Sequence, residues 1–222
     1  IGRNLLLADL AKCRVHLQHV HTAGRVDAVR WAKNRGIRVT CETCPQYLSL
    51  TDEAHGSYDT NAKCCPPLRA AQDVEAIKQG LADGSIDVIA TDHAPHAQEE
   101  KEVELQDAAF GMIGLETAVS LAITNLIETG VMDIGSLLAK MTVEPAKALG
   151  IDAGTLREGA AADITIIDPK AKVTVCRSEF KSMARNSPFE GFELTGRPVA
   201  TIVAGEIVHG VEVLKAPEPA NL

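Results

Sequence analysis

Along the first half of the chain the apolar positions switch between two periods. Val15 to Val20 is a short β-favouring run that carries His16 and His19, and the segment after it repeats Val26, Val29 and Ala32 at helical spacing until Gly36 stops it. Ile37 to Thr43 reads as a second strand. A long polar stretch through YDTNAKCCPPLR follows, where Pro66 and Pro67 exclude regular structure. Val74, Ile77 and Leu81 mark one face of a helix ending at Gly84, and Ile86 to Ala90 is a nearly continuous apolar strand of the kind covered on both faces. This order of strands and helices predicts a parallel sheet, in which functional groups gather at the carboxyl ends of the strands.

Beyond that strand, residues 97–112 form a polar loop. Leu115, Ala118, Val119, Ala122, Ile123, Leu126 and Ile127 then define an amphipathic helix stopped by Gly130. Asp133 and Thr142 are suited to cap two shorter helices that Gly150 ends. From about Gly154 the texture changes: ADITIID, KVTV and VATIVAGEIV are β-rich runs divided by Gly and Pro, with no helical period. The pattern predicts an α/β part over 1–150, a small β-rich module over 151–215 and a frayed tail over 216–222.

Composition narrows the class. A chain of 222 residues with 45% apolar content can bury a core. Its net charge of −8, its lack of a basic block and its 3% aromatic content argue against nucleic acid or an anionic membrane as partner. No apolar run reaches the roughly 18 residues that span a bilayer, and no signal peptide opens the chain, so a cytoplasmic location is expected. The first residue is Ile1 rather than Met, which places the expected natural start upstream. The six cysteines, Cys13, Cys41, Cys44, Cys64, Cys65 and Cys176, read as free thiols. CETC with the later CC is a poor zinc-ribbon pattern, because adjacent cysteines rarely share one tetrahedral ion.

The residues that carry chemistry stand at predicted strand ends. His19 follows the first strand and Asp92 the third, and imidazole with carboxylate suits a divalent first-row metal, zinc above all. The plainer alternatives are a hydrogen-bonded core histidine and a helix-capping aspartate.

The segments VHLQHVHTAGRV, YDTNAKCCPPLR, IDVIATDHAPHAQEEKE, FGMIGLETA, MTVEPAKALGI, GTLREGAAADITIID and RNSPFEGFELTGRPVATIVAGEIV resemble consecutive blocks of the bacterial type I dihydroorotases, within the amidohydrolase superfamily. The likeness runs through nearly the whole chain, although ETCPQYL is closer to the wording of hydantoinases. It implies an α/β fold: the C-terminal part of a (β/α)8 TIM-type barrel, about strands 6–8, plus the β-rich module. It also implies a zinc-dependent hydrolase of a cyclic amide that interconverts dihydroorotate and N-carbamoyl-L-aspartate in pyrimidine synthesis.

Carried over by position, His19 and Asp92 match metal ligands, and Asp92 matches the catalytic base. His96 matches the group that holds the substrate carboxylate, and Phe110 and Gly111 the loop that meets the ring. A bound divalent ion lowers the pKa of water from about 15.7 to about 7, and a nearby carboxylate can take a proton and return it to the leaving nitrogen. His16 reads as structural, and His93 as a group that supports the site or caps the loop. Arg69 is expected in a salt bridge that fixes its loop, with substrate binding the alternative.

Three departures qualify the resemblance. Cys65 stands where the family has a substrate-binding asparagine, and a thiol is a weak donor and acceptor. His21 stands where the family has serine, and is expected either near the metal or facing solvent. The family's remaining metal ligands belong to a first half without counterpart here. The implied partners are therefore a missing N-terminal half or partner chain, within a homo-oligomer. A non-catalytic subunit that assembles with another enzyme, such as aspartate transcarbamoylase, is a second reading, and a hydantoinase or allantoinase relative a third.

Overall fold

The computed structural model describes residues 1–56 and 58–210. The expected tail over 216–222 and the last residues of the β-rich stretch lie outside the described residues.

Helix α1 (Gly2–Ala11) precedes the first strand. It lacks the spacing that announces a helix, because Leu5, Leu6 and Leu7 are consecutive. Leu5 and Ala8 enter the core, whereas Leu6, Leu7 and Leu10 face outward. Strand β1 (Val15–Leu17) leads to α2 (Ala23–Asn34), where Oγ1 of Thr22 accepts from the backbone N–H of Arg25 at 3.3 Å and caps the helix. Strand β2 (Val39–Thr43), the short helix α3 (Pro45–Ser49), two 3-10 turns, α4 (Ala71–Ala82) and β3 (Val88–Ile89) follow.

The three strands are parallel and lie side by side in chain order, with Val15 opposite Val39, Leu17 opposite Cys41 and Glu42 opposite Val88. Val26, Val29 and Ala32 of α2, Ile77 and Leu81 of α4, and Leu17, Val39, Cys41, Ile86 and Ile89 share one buried cluster. Strands β1 and β3 are shorter than the apolar runs predict. The backbone turns out of β1 at His19, with φ 53°, and out of β3 at Asp92, with φ 49°. Pairing nevertheless extends past the strands, through Val20 N–H to Glu42 O at 2.8 Å and Ala90 N–H to Thr43 O at 2.9 Å.

The loop expected over 97–112 contains one helical turn, α5 (Gln98–Lys101). The amphipathic helix after it begins later than its apolar spacing suggests: α6 (Ala118–Ala122) passes into a wider π-type turn over Ile123–Ile127. Leu115 is 61% exposed and belongs to the turn before α6, not to the buried face. Two helices follow, α7 (Ile134–Met141), capped by Asp133 through Ser136 N–H at 2.9 Å, and α8 (Val143–Leu149). Thr142 does not cap α8. Its hydroxyl donates instead to Leu138 O at 2.7 Å, one turn back.

Strands β4 (Ile164–Thr174), β5 (Glu193–Val203) and β6 (Glu206–His209) form an antiparallel sheet in that order. The separate runs ADITIID and KVTV are one strand, with an irregularity in its pairing between Asp168 and Lys172. This sheet packs on α6. The Ser120 hydroxyl donates to Gly196 O at 2.6 Å, and a Cβ at Gly196 would stand 2.3 Å from Ile123 Cδ1, so only glycine permits the approach. Among the described residues no helix is long and apolar enough to cross a membrane.

Candidate metal and substrate site

The left-handed turns at the ends of β1 and β3 aim two side chains into one mouth. Nδ1 of His19 lies 3.8 Å from Oδ2 of Asp92, with each side chain about a quarter exposed, 28% and 26%. Beside His19 lies the thiol of Cys44, the residue before α3, 3.4 Å from its Nδ1. The imidazole nitrogen, the sulfur and the carboxylate oxygen lie within 4.8 Å of one another. Neighbouring donors around a tetrahedral ion with bonds of 2.0–2.3 Å stand about 3.5 Å apart. The spacing and the nitrogen, sulfur and oxygen donors therefore fit a divalent cation.

Gln46, in the first turn of α3, donates to Oδ2 of Asp92 at 3.0 Å. Burial pushes the Asp92 carboxyl above its ordinary range, more than His19 and Gln46 lower it, and the nearby charge of Glu42 adds to the rise. Burial, with Asp92 and Glu42 close by, also holds the Cys44 thiol well above its ordinary value.

The loop expected to meet substrate is pinned from inside. His96 Nε2 lies 2.9 Å from Phe110 O and its Nδ1 3.3 Å from Oε2 of Glu100. Asn186 is buried and joins three pieces of the loop: Oδ1 accepts from His96 N–H at 3.2 Å, and Nδ2 donates to Ala94 O at 2.9 Å and Gly111 O at 3.2 Å. The Lys101 ammonium donates to Ala109 O and Gly111 O. That of Lys63 donates to the carbonyls of Leu105, Gln106 and Ala108, and lies 4.3 Å from the centre of the Phe110 ring. Phe110 is 58% exposed, and Gly111 has φ 133°, a conformation that favours glycine.

The other histidines occupy other positions. His16 is bound between Thr40 Oγ1 at 2.8 Å and Glu42 Oε2 at 3.1 Å. His93 Nδ1 accepts from Gly114 N–H at 3.1 Å, capping the end of the loop. His21 is neither solvent-facing nor among the cation donors: it is buried against Tyr47, with ring centres 5.3 Å apart, and Nη1 of Arg25 is 2.7 Å from its Nδ1. Burial and the charges of Arg25 and Arg69 outweigh its contact with His19 O and lower its pKa.

The salt bridge expected of Arg69 is not found among the described residues. Its side chain is exposed, and the loop is tied instead by Asp52 N–H to the Arg69 carbonyl at 3.0 Å. Cys41 and Cys44 face different ways. The Cys41 thiol donates to Ser85 O at 3.4 Å and burial pushes it up to about 12, while Cys44 faces His19. Cys65 is exposed, and its neighbour Cys64 is buried with its thiol directed at Pro66 O.

Sequence reasoning weighed Cys44 only as part of a zinc-ribbon pattern with Cys41, and passed over Gln46 and Asn186. Cys44 and Gln46 follow the carboxyl end of β2, the position that singled out His19 and Asp92 at their own strand ends. Asn186 had no signal beyond its place in the RNSPFEG block.

Parallel strands in chain order, with a potential metal-binding group at their carboxyl ends, are the arrangement of part of a TIM-type α/β barrel. The chain belongs to the amidohydrolase family, whose profile matches residues 5–208. It is 54% identical over 215 residues to a dihydroorotase of Pelotomaculum thermopropionicum, covering 97% of this chain and 50% of that protein. It is 52% identical over 209 residues to a dihydroorotase of Geotalea daltonii, covering 94% and 49%. The chain spans about half the length of these relatives and matches their C-terminal portion. Among solved structures, the L-hydantoinase of Arthrobacter aurescens superposes with a TM-score of 0.88 at 35% identity, over 93% of this chain and 47% of that one. The dihydropyrimidinase of Brevibacillus agri does so with a TM-score of 0.86 at 25% identity, over 94% and 47%.

Proposed function

We propose that this chain supplies the C-terminal part of the active site of a zinc-dependent dihydroorotase, which interconverts dihydroorotate and N-carbamoyl-L-aspartate in pyrimidine synthesis. The observation that carries the proposal is the meeting of His19 and Asp92 at the carboxyl ends of β1 and β3. The relatives named dihydroorotase, half identical to this chain, support the substrate class.

His19 and Asp92 would hold the cation, which when bound polarises the amide carbonyl and makes water nucleophilic near neutral pH. Asp92 takes the proton of the attacking water and delivers it to the ring nitrogen as the C–N bond breaks. Its buried setting, which favours the protonated carboxyl, suits the first of these, the uptake of the proton. His96 would exchange Glu100 for the substrate carboxylate, one carboxylate for another. Phe110 and Gly111 would present backbone to the ring, and Cys65, exposed on its loop, would stand in place of a carboxamide. The remaining ligands come from the part of the site that corresponds to the relatives' other half, contributed by further chain or by a partner within a homo-oligomer.

Two observations favour other readings. The hydantoinase-like ETCPQYL, whose Gln46 donates to Asp92, and the likeness to the L-hydantoinase favour a hydantoin-type ring. Cys65 favours a non-catalytic subunit held by another enzyme such as aspartate transcarbamoylase. The test combines this chain with the N-terminal half of the Pelotomaculum relative and zinc, and follows ring opening of dihydroorotate, hydantoin and allantoin. Dihydroorotate opening alone is expected. Opening of hydantoin or allantoin alone replaces the substrate, and no turnover despite bound zinc favours the subunit reading.

A further inference from the structure

Resting on the cation site just proposed, we propose that Cys44 is a third, sulfur donor of that site, and that through it the mouth takes thiophilic divalent cations of the cadmium class.

The argument is one of placement. Cys44 Sγ is 3.4 Å from Nδ1 of His19, which is 3.8 Å from Oδ2 of Asp92. These separations resemble the edges of a coordination polyhedron more than those of a packed apolar core. A cation softer and larger than zinc spreads its donors toward about 4 Å, so the 3.4 Å and 3.8 Å separations open by a few tenths of an ångström to take it, and it is the sulfur rather than the spacing that selects it. Thiolate selects soft ions, whereas a histidine and carboxylate pair alone does not.

The approach is also graded. His19 and Asp92 are partly exposed, while Cys44 beside His19 has no exposed surface. An ion seated between the first two reaches the sulfur; a bulky thiol reagent does not. The other buried thiols are turned elsewhere, Cys41 toward Ser85 O and Cys64 toward Pro66 O. The competing account is that the Cys44 S–H donates to His19 and only orients the ring.

The experiment titrates cadmium ion into this chain, with the non-buried Cys13, Cys65 and Cys176 replaced by serine, and records the ultraviolet sulfur-to-metal charge-transfer band and the cadmium-113 resonance. One saturable band and a shift diagnostic of a single sulfur are expected. Cys44→Ser should remove the band and weaken cadmium binding about a hundredfold, while Cys64→Ser should leave both. Circular dichroism checks that the variants fold, and the cadmium shift of the parent decides the question if Cys44→Ser does not. Cadmium bound without a sulfur signal, or a band that survives Cys44→Ser, overturns the proposal.

Cobalt or zinc held through His19 and Asp92 with no sulfur signal removes this proposal and leaves the hydrolase reading intact. A sulfur signal in a complemented protein that opens none of the three rings in zinc does the reverse. Failure of the complemented protein to bind any cation removes both.

Discussion

His19 and Asp92 face each other across 3.8 Å, and both are held in the left-handed backbone region, with φ 53° and 49°. For residues other than glycine that conformation costs on the order of 1–2 kcal/mol. Here it turns the chain out of each strand at the point where a side chain is needed in the mouth. The strain is shared by the two residues that the proposed chemistry requires, as expected where packing against β2 and α3 over-determines the backbone.

Asp92→Asn separates that backbone role from the chemical one. Asparagine enters the left-handed region readily and keeps an acceptor for Gln46, but removes a carboxylate that burial disfavours in its charged form. The variant should retain the parent's stability or exceed it by about 1 kcal/mol. Ring opening in the complemented protein should fall by about 10²- to 10⁴-fold. Denaturant unfolding and steady-state rates provide the check; a marked loss of stability would show that the carboxylate is structural.

Cys65→Asn tests whether the loop of Cys65 reaches the substrate. The residue is exposed, so the larger side chain meets no packing limit. A carboxamide restores a donor and acceptor where the thiol offers little, and one net hydrogen bond is worth about 0.5–1.5 kcal/mol. KM for dihydroorotate should fall about three- to tenfold with kcat little changed. An unchanged KM would remove Cys65 from the substrate's surroundings.

The parallel framework was legible because its strands and helices have clean periods: Val26, Val29 and Ala32 in α2, and Ile77 and Leu81 in α4, are the buried positions that spacing selects. Less legible was whatever depends on side chains meeting across the fold. Leu115 continues a helical period yet lies outside the helix, because the backbone N–H groups of Gly114 and Leu115 turn to His93 Nδ1. Thr142 has the composition of a cap, but its hydroxyl finds the preceding turn first. At the site, the rule that looks to strand ends reached His19 and Asp92 but was not applied to β2, whose end supplies Cys44 and Gln46. Asn186 reaches the mouth from a distant segment, and no local pattern encodes that.

Asn186→Ala tests this distant contribution. The change leaves Ala94 O, Gly111 O and His96 N–H without their shared partner, in a buried setting. A loss of roughly 2–3 kcal/mol is expected from denaturant unfolding, with faster hydrogen exchange concentrated in the segment around Ala94 to Gly111. An even spread of the effect over the α/β core would show that Asn186 is ordinary packing and not a clamp on the loop.

Lys140 offers a pH test remote from the mouth. It is buried, and its ammonium donates to Ile86 O at 2.6 Å. Burial lowers its pKa from the ordinary 10.5, opposed by Asp87 and Glu144 and reinforced by Lys33, which pairs with Asp87. Because the folded value lies below the unfolded one, the unfolded chain holds the proton longer as pH rises, so stability increases with pH between the two values. The lysine's contribution is greatest above the unfolded value of 10.5 and is lost as pH falls through the folded one. Lys140→Met removes the titrating group while keeping much of its apolar stem. The difference in stability between variant and parent should therefore be constant at neutral pH and shift in the parent's favour as pH approaches 10.5. Urea unfolding of both proteins across that range measures the difference; a flat difference up to and beyond 10.5 would mean that the ammonium is as well solvated in the fold as in the unfolded chain.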